Sequence, residues 1–203
     1  MTVGTKSVLF GAHCFFLHPW FVAEAWRRLY GFPWDPRLWV AFFVHDLGYW
    51  GKPNMDGEEG ERHVEFGACF MSAHYDSLFK LFYGHDTVWL DERQVYQPIG
   101  KWGQFCLFHS RFYAKKHKRP VSRLCIADKF ALCLTPAWLY LPMVKSSGEI
   151  HEYMKLAEFG KYGTMNVPTG SGQLKWYQGV QKYLREWVAE HRDGKPDTWT
   201  PSR

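Results

Sequence analysis

Clean apolar–polar alternation, the mark of a half-buried strand, is nearly missing from this sequence, which argues against an all-β or α/β fold. Paired cysteines are missing as well. Cys14, Cys69, Cys106, Cys125 and Cys133 are odd in number, form no CxxC motif and sit among apolar or aromatic neighbours. Buried free thiols of this kind belong to a reducing compartment and exclude a disulfide framework or a zinc knuckle. No run reads as a membrane span. Ser7 to Ala23 lacks Lys, Arg, Asp and Glu but carries His13, His18 and Pro19, and Phe130 to Val144 has only 15 residues with two prolines. A cytoplasmic protein without a membrane partner is expected. Repeats and low-complexity blocks are absent, so neither a solenoid nor a disordered chain is indicated. A strong charge imbalance is lacking too: 25 basic against 20 acidic residues leave +5. That suits a small anionic substrate and does not call for nucleic acid.

What the chain has in quantity is aromatic residues, 16 Phe, 11 Tyr and 11 Trp, and 10 histidines in 203 residues. The aromatics and a 46% apolar content fill one sizeable core. Helical periodicity dominates. Phe21, Val22, Ala25 and Leu29 fall at helical spacing before Gly31. Asp35-Pro36 opens a helix expected to run through Val44 and His45 to Gly48, apolar nearly all round and so central and buried. A third helix is expected from about Glu61 through Met71, an irregular stretch over 83–100, and a fourth helix over Lys101 to Lys116. Ser122 caps a fifth, Arg123 to Leu134, ending before Thr135-Pro136. A short helix over 147–159, a Gly-rich connector from Gly160 to Gly172, a last helix from Leu174 to His191 and a loose tail complete an all-α reading.

Chemistry concentrates where histidine and aspartate meet these helices. His45-Asp46, in FFVHDLGYWGK, ends the most hydrophobic helix. An ionised Asp beside a His is costly there unless both are paired or hold a cation. Upstream, HPWFVAEAW starts a helix at His18; downstream, GERHVEFGA places His63 at the head of another. FCLFHSRFYAKKHKRPVSRLCIADKFAL then offers His109 and Asp128. Each is a metal-ligand type on or at the start of a helix.

This order, with HDLGYWGK, His18 followed by Val22-Ala23, and Ala127-Asp128-Lys129 on an apolar helix, resembles the HD-domain superfamily of metal-dependent phosphohydrolases. The resemblance covers about residues 13–135. It implies one HD-like domain over 1–203, a helical bundle with the metal site in its core, on which the loop and C-terminal helix of 145–203 pack. It further implies His18, His45, Asp46 and Asp128 as ligands of a first metal, and His63 with His109 as ligands of a second. His85, in FYGHDTVW, competes with His109, and His13 competes with His18. His74, His117, His151 and His191 read as background histidines among polar neighbours or at helix ends.

The resemblance implies a hydrolase in which metal-activated water attacks a nucleotide or another small phosphate ester, with Asp46 as the catalytic carboxylate. Mixed His and carboxylate ligation suits one or two divalent ions among Mn, Fe, Co, Ni, Zn and Mg. Lys52, Arg111, Arg123 and Lys129 are the candidate substrate-phosphate contacts. Arg111 and Arg123 belong to a wider basic cluster with Lys115, Lys116, Lys118 and Arg119, readable as a phosphate clamp or as a solvated helix end. The acidic loop bearing Asp56, Glu58, Glu59 and Glu61 offers outer partners or plain surface. Two other functions stay open: a di-iron HD-domain oxygenase, and a module that binds nucleotide or metal without catalysis. Oligomeric state is left open.

Overall fold

The computed structural model describes residues 1–56, 58–76, 88–92, 95–158 and 172–200. In chain order these form α1 (Val3–Phe10), α2 (His18–Tyr30), α3 (Pro36–Val44), a 3-10 turn (Leu47–Tyr49), α4 (Glu58–Glu61), α5 (His63–Met71), a π-turn (Ser72–Asp76), β1 (Val88–Glu92), β2 (Val95–Ile99), α6 (Lys101–Leu107), α7 (Arg111–Lys116), α8 (Arg123–Leu134), α9 (Ala137–Ser147), α10 (Glu149–Glu158) and α11 (Gln173–His191). The architecture is all-α, with one antiparallel hairpin in register from Val88 opposite Ile99 to Glu92 opposite Val95.

The start signals act locally as their chemistry dictates. The Asp35 carboxylate accepts the Arg37 N–H at 2.9 Å and starts α3 with Pro36 in its first turn. The Ser122 hydroxyl accepts the Cys125 N–H at 3.3 Å and starts α8, which ends at Leu134. Gly148 ends α9 at φ +89°, a conformation that side chains with a Cβ resist.

The core is organised around α8, not α3. Leu124, Ala127 and Ala131 of α8 pack with Val22, Ala25, Trp26, Ala41 and Phe42 of α2 and α3. Its Cys125 and Ile126 turn the other way, into a cluster with Val64, Leu107 and Trp187. With apolar side chains on both flanks, α8 is enclosed by α2 and α11. By contrast α3 buries Ala41, Phe42 and Val44, while Trp39, Val40 and Phe43 are only half-buried and Arg37 is exposed. It also stops at Val44, before the expected Gly48, because the chain tightens into the 3-10 turn.

Several other expectations are corrected. The stretch expected to be irregular contains the β1–β2 hairpin; its residues 83–87 lie outside the described ones. The helix expected over 101–116 is two helices, because Ser110 caps α7 through the Tyr113 N–H (3.3 Å) while the Ser122 N–H draws the Phe108 carbonyl aside (2.9 Å). The helix expected from Glu61 is likewise split, with Arg62 between α4 and α5. The tail through Thr200 is docked, not loose. Asp197 accepts from the Trp187 indole N–H (3.1 Å) and from the backbone of Trp199 (3.0 Å) and Thr200 (3.2 Å), and the Trp199 ring packs on Tyr183. Helices α1 and α9 were not foreseen; α9 accommodates Pro142 inside its span. Among the described residues no single helix is long and apolar enough to cross a membrane, and the apolar run over α8 and α9 bends by 106°. All five cysteines are free, Cys69 half-buried and the rest buried.

Candidate metal centre

Five elements deliver six side chains to one buried point. His18 is the first residue of α2, His45 caps the C-terminal end of α3 and Asp46 follows it. His63 is the first residue of α5, His109 lies in the turn between α6 and α7, and Asp128 sits mid-way along α8. Gly48 makes the approach of His63 feasible: a Cβ at this position would fall 1.9 Å from the His63 carbonyl oxygen.

The ligand-type atoms form two groups that share Asp46. In the first, His18 Nε2, His45 Nε2, Asp46 Oδ2 and Asp128 Oδ1 lie within 4.8 Å of one another; in the second, Asp46, His63 and His109 do the same. Oδ2 of Asp46 stands 3.1 Å from His45 Nε2 and 3.3 Å from His18 Nε2. Its Oδ1 stands 3.2 Å from His109 Nε2 and 3.6 Å from His63 Nε2. Asp128 Oδ1 lies 3.1 Å from His18 Nε2, and Lys129 Nζ holds the other Asp128 oxygen at 2.7 Å.

The backbone sets the tautomers. His45, His63 and His109 each place Nδ1 against the carbonyl of the residue three positions earlier, at 3.0, 2.7 and 2.5 Å. A carbonyl only accepts, so each Nδ1 carries a proton, and each ring in its neutral form presents a lone pair at Nε2. The consequence is sharp at the second group. His63 Nε2 and His109 Nε2 stand 3.1 Å apart, two acceptors facing each other beside a carboxylate. Three further buried atoms, His18 Nε2, His45 Nε2 and Asp46 Oδ2, have no hydrogen-bond partner among the described residues. Converging lone pairs without donors are the donor set of a cation, and the residues present fit one.

The Asp46 and Asp128 carboxylates favour positive charge at this point, carried by a proton on the imidazoles or by a cation in its place. Burial alone would lower His45, but the adjoining Asp46 and Asp128 carboxylates outweigh it and push the pKa up to about 10. His18 is raised in the same way. Asp46 and Asp128 lie well below the usual carboxylate range, because neighbouring cations outweigh their burial. His63 and His109 are lowered, chiefly by burial and by other histidines.

A cavity of about 1310 Å³ opens from this point. Two of the four expected phosphate contacts border it, Arg111 and Lys129, together with Lys115, Lys116, Lys118 and Arg119 of the basic cluster. The Arg111 guanidinium is engaged by Asp197 (3.3 Å) and by the Tyr183 hydroxyl. The other two contacts are corrected. Lys52 pairs at the surface with Glu59 at 3.3 Å, and Arg123 lies over the Tyr30 ring beside a separate small cleft. Of the acidic loop, Asp56 and Glu61 border the main cavity.

His13 belongs to neither ligand group. It borders the cavity, with Nε2 4.0 Å from Asp46 and Nδ1 2.8 Å from the Ser7 hydroxyl. His85 and residues 159–171 of the Gly-rich loop lie outside the described residues. His191, read as background among polar neighbours, is wholly buried; its Nδ1 donates to the Trp187 carbonyl at 2.7 Å.

Two contributors escaped the sequence. Tyr49 stacks on His63 with ring centroids 3.8 Å apart and fixes its plane. Glu149, wholly buried at the start of α10, accepts from the Ala12 N–H (3.0 Å), the Ser147 hydroxyl (2.6 Å) and the Tyr153 hydroxyl (3.0 Å), and stands 3.7 Å from His13. Nothing local in SSGEI marks a glutamate that serves a residue 137 positions away. No protein-family model, curated protein or solved structure matches the chain.

Proposed function

We propose that this chain is a metal-dependent phosphohydrolase of the HD-domain type. One observation carries the reading: the two oxygens of one buried carboxylate, Asp46, face two separate histidine sets. That is the arrangement of a carboxylate shared between two cations. His18, His45, Asp46 and Asp128 would hold one divalent ion; His63, His109 and the same Asp46 would hold the other. Divalent ions held there supply water of lowered pKa and Lewis acidity toward a phosphoryl oxygen, the chemistry of phosphoester hydrolysis.

The chain's own residues do the rest. The carbonyls of Phe42, Gly60 and Cys106 keep all three imidazoles in the same tautomer and hold each ring in its own orientation. Lys129 holds Asp128 so that its free oxygen faces His18. The basic wall from Arg111 to Arg119 supplies positive charge to an anionic substrate in the cavity. The size of the cavity and its mixed walls suit a small organic phosphate, a nucleotide among them.

The test is elemental analysis of the purified protein, with phosphate release measured over a panel of nucleotides and simple phosphate esters. We expect about two divalent ions per chain, phosphate release, and the loss of both in Asp46→Ala. An Asp46→Ala protein with full metal content and turnover overturns the reading. So does oxygen uptake by the iron-loaded protein without phosphate release, which assigns the centre to oxygenase chemistry.

A further inference from the structure

Apart from the cavity, the largest unexplained feature is aromatic and lies on the outside. Phe16 is 69% exposed, Trp20 56%, Phe32 50% and Trp34 83%. They do not stand singly. Phe16 meets Phe15 at 5.6 Å, Phe15 meets Phe43 at 5.4 Å, Phe43 meets Trp20 at 5.9 Å, and Trp20 meets Trp39 at 5.7 Å. The Trp39 indole N–H donates to the Pro33 carbonyl at 2.9 Å, which ties in the neighbouring pair Phe32 and Trp34, whose tilted rings lie 4.5 Å apart. The result is one continuous surface over the start of α2, one side of α3 and the segment joining them. Isolated exposed aromatics need no explanation; a connected sheet of them does.

We propose that this surface is the contact between two copies of the chain. Its size fits. At about 200 Å² for each aromatic side chain, the four exposed rings alone present about 500 Å². A standard interface takes about 800 Å² from each partner, and the half-buried Phe15, Trp39 and Phe43 with the surrounding rim make up the difference. Its composition fits as well, since tryptophan dominates the energetics of protein interfaces.

The charges around it favour a second copy over other occupants. Glu24 accepts from Arg27 at 2.7 Å and from Arg28 at 2.7 Å, and Asp35 is gripped through both oxygens by Arg37. An anionic lipid surface calls for a fringe of unpaired Lys and Arg. Here the fringe cations are already paired within the chain. The three arginines share two carboxylates and leave one net positive charge, and a two-fold contact, which brings a surface against itself, favours a fringe of such low net charge. The contact starts next to the metal centre: Leu17, between Phe16 and His18, borders the cavity.

Sedimentation velocity on the full chain tests this, between about 1 and 100 µM, the range over which a micromolar dimer forms and dissociates. We expect a concentration-dependent dimer. Trp20→Ser with Trp34→Ser should raise its dissociation constant at least tenfold while far-UV circular dichroism and metal content stay unchanged. Trp34→Glu alone provides a second variant outside the helices, and it should also favour the monomer. A chain that is monomeric throughout overturns the proposal, as does a dimer that neither variant weakens. Flotation of the monomeric chain with phosphatidylcholine vesicles overturns it too, and gives the surface to lipid.

Discussion

Replacing Asp46 by Asn keeps the shape of the centre and removes one charge, so it isolates what the shared carboxylate does. In the native chain Oδ2 serves His45 and His18 at 3.1 and 3.3 Å, and Oδ1 serves His109 and His63 at 3.2 and 3.6 Å. Asn offers one carbonyl oxygen and one NH2, and the NH2 cannot ligate a cation. One of the two groups therefore loses its common ligand, and metal content should fall to about one ion per chain or fewer. The metal-free protein tests the same geometry independently. There burial opposes the charge on His45, and Asp46 and Asp128 raise it from 6.5 to about 10 in spite of that, a net effect on the order of 5 kcal/mol at about 1.4 kcal/mol per unit. Loss of the Asp46 share should cost about 3 kcal/mol, the scale of breaking a buried ion pair. For a chain of this length that is about 6–12 °C in Tm. The sign follows from linkage. A histidine whose folded pKa is raised stabilises fully below its unfolded value of 6.5, and the contribution fades as pH rises through about 10. Calorimetry on chelator-treated protein should show the widest Tm gap between native and Asp46→Asn below pH 6.5, closing toward pH 10. An Asn variant that keeps two metals per chain, or a gap that is flat with pH, refutes the reasoning.

Three further outcomes follow from the same geometry. Gly48→Ala places a Cβ against the His63 carbonyl, where backbone must move; elemental analysis should show loss of metal from the second group with the first retained. Glu149→Ala strands the Ala12 N–H and the Ser147 and Tyr153 hydroxyls in the interior, and should cost about 3 kcal/mol in denaturant titrations. Burial raises the Glu149 carboxyl, but the hydrogen bond and charge of His13 outweigh it, so the pKa lies below 4.5. The stability gap should be full above pH 4.5 and narrow as pH falls through that lowered value, leaving the part due to the stranded donors. Arg123→Ala should leave phosphate release unchanged, because its guanidinium lies over Tyr30 and away from the cavity; Lys129→Met should impair it by freeing Asp128. Equal effects of the two would contradict the placement of these cations.

The local pattern alone accounts for much of this molecule. Helical spacing over 20–30 and 174–191, Asp35-Pro36 and Ser122 as starts, and Thr135-Pro136 as a stop are read from neighbours a few residues apart, and the chain follows them. His18, His45, Asp46, His63, His109 and Asp128 could be singled out because they are ligand-type residues on or at the start of helices, in an order that resembles the HD-domain superfamily. The breaks at Arg62 and Phe108–Ser110 could not be read, because capping by Ser110 and the pull of Ser122 on Phe108 compete with a helical pattern that looks continuous. The hairpin escaped because each of its strands is only five residues long.

Tertiary structure decided what no spacing encodes. Lys52 and Arg123 carry the same charge as Arg111 and Lys129 and also lie near ligand-type residues in the sequence; the packing sends the first two away from the cavity. It turned the tail back through Asp197, set Glu149 behind His13, and left aromatic side chains of α2 and α3 on the outside. The physical reason is one of range. Propensity, caps and ligand type are properties of a few adjacent residues, and the sequence by itself determined them. Which cation faces a cavity, and which carboxylate is buried beside which histidine, depends on how helices far apart in the chain exclude water from one another. That was settled only when α8 closed between α2 and α11.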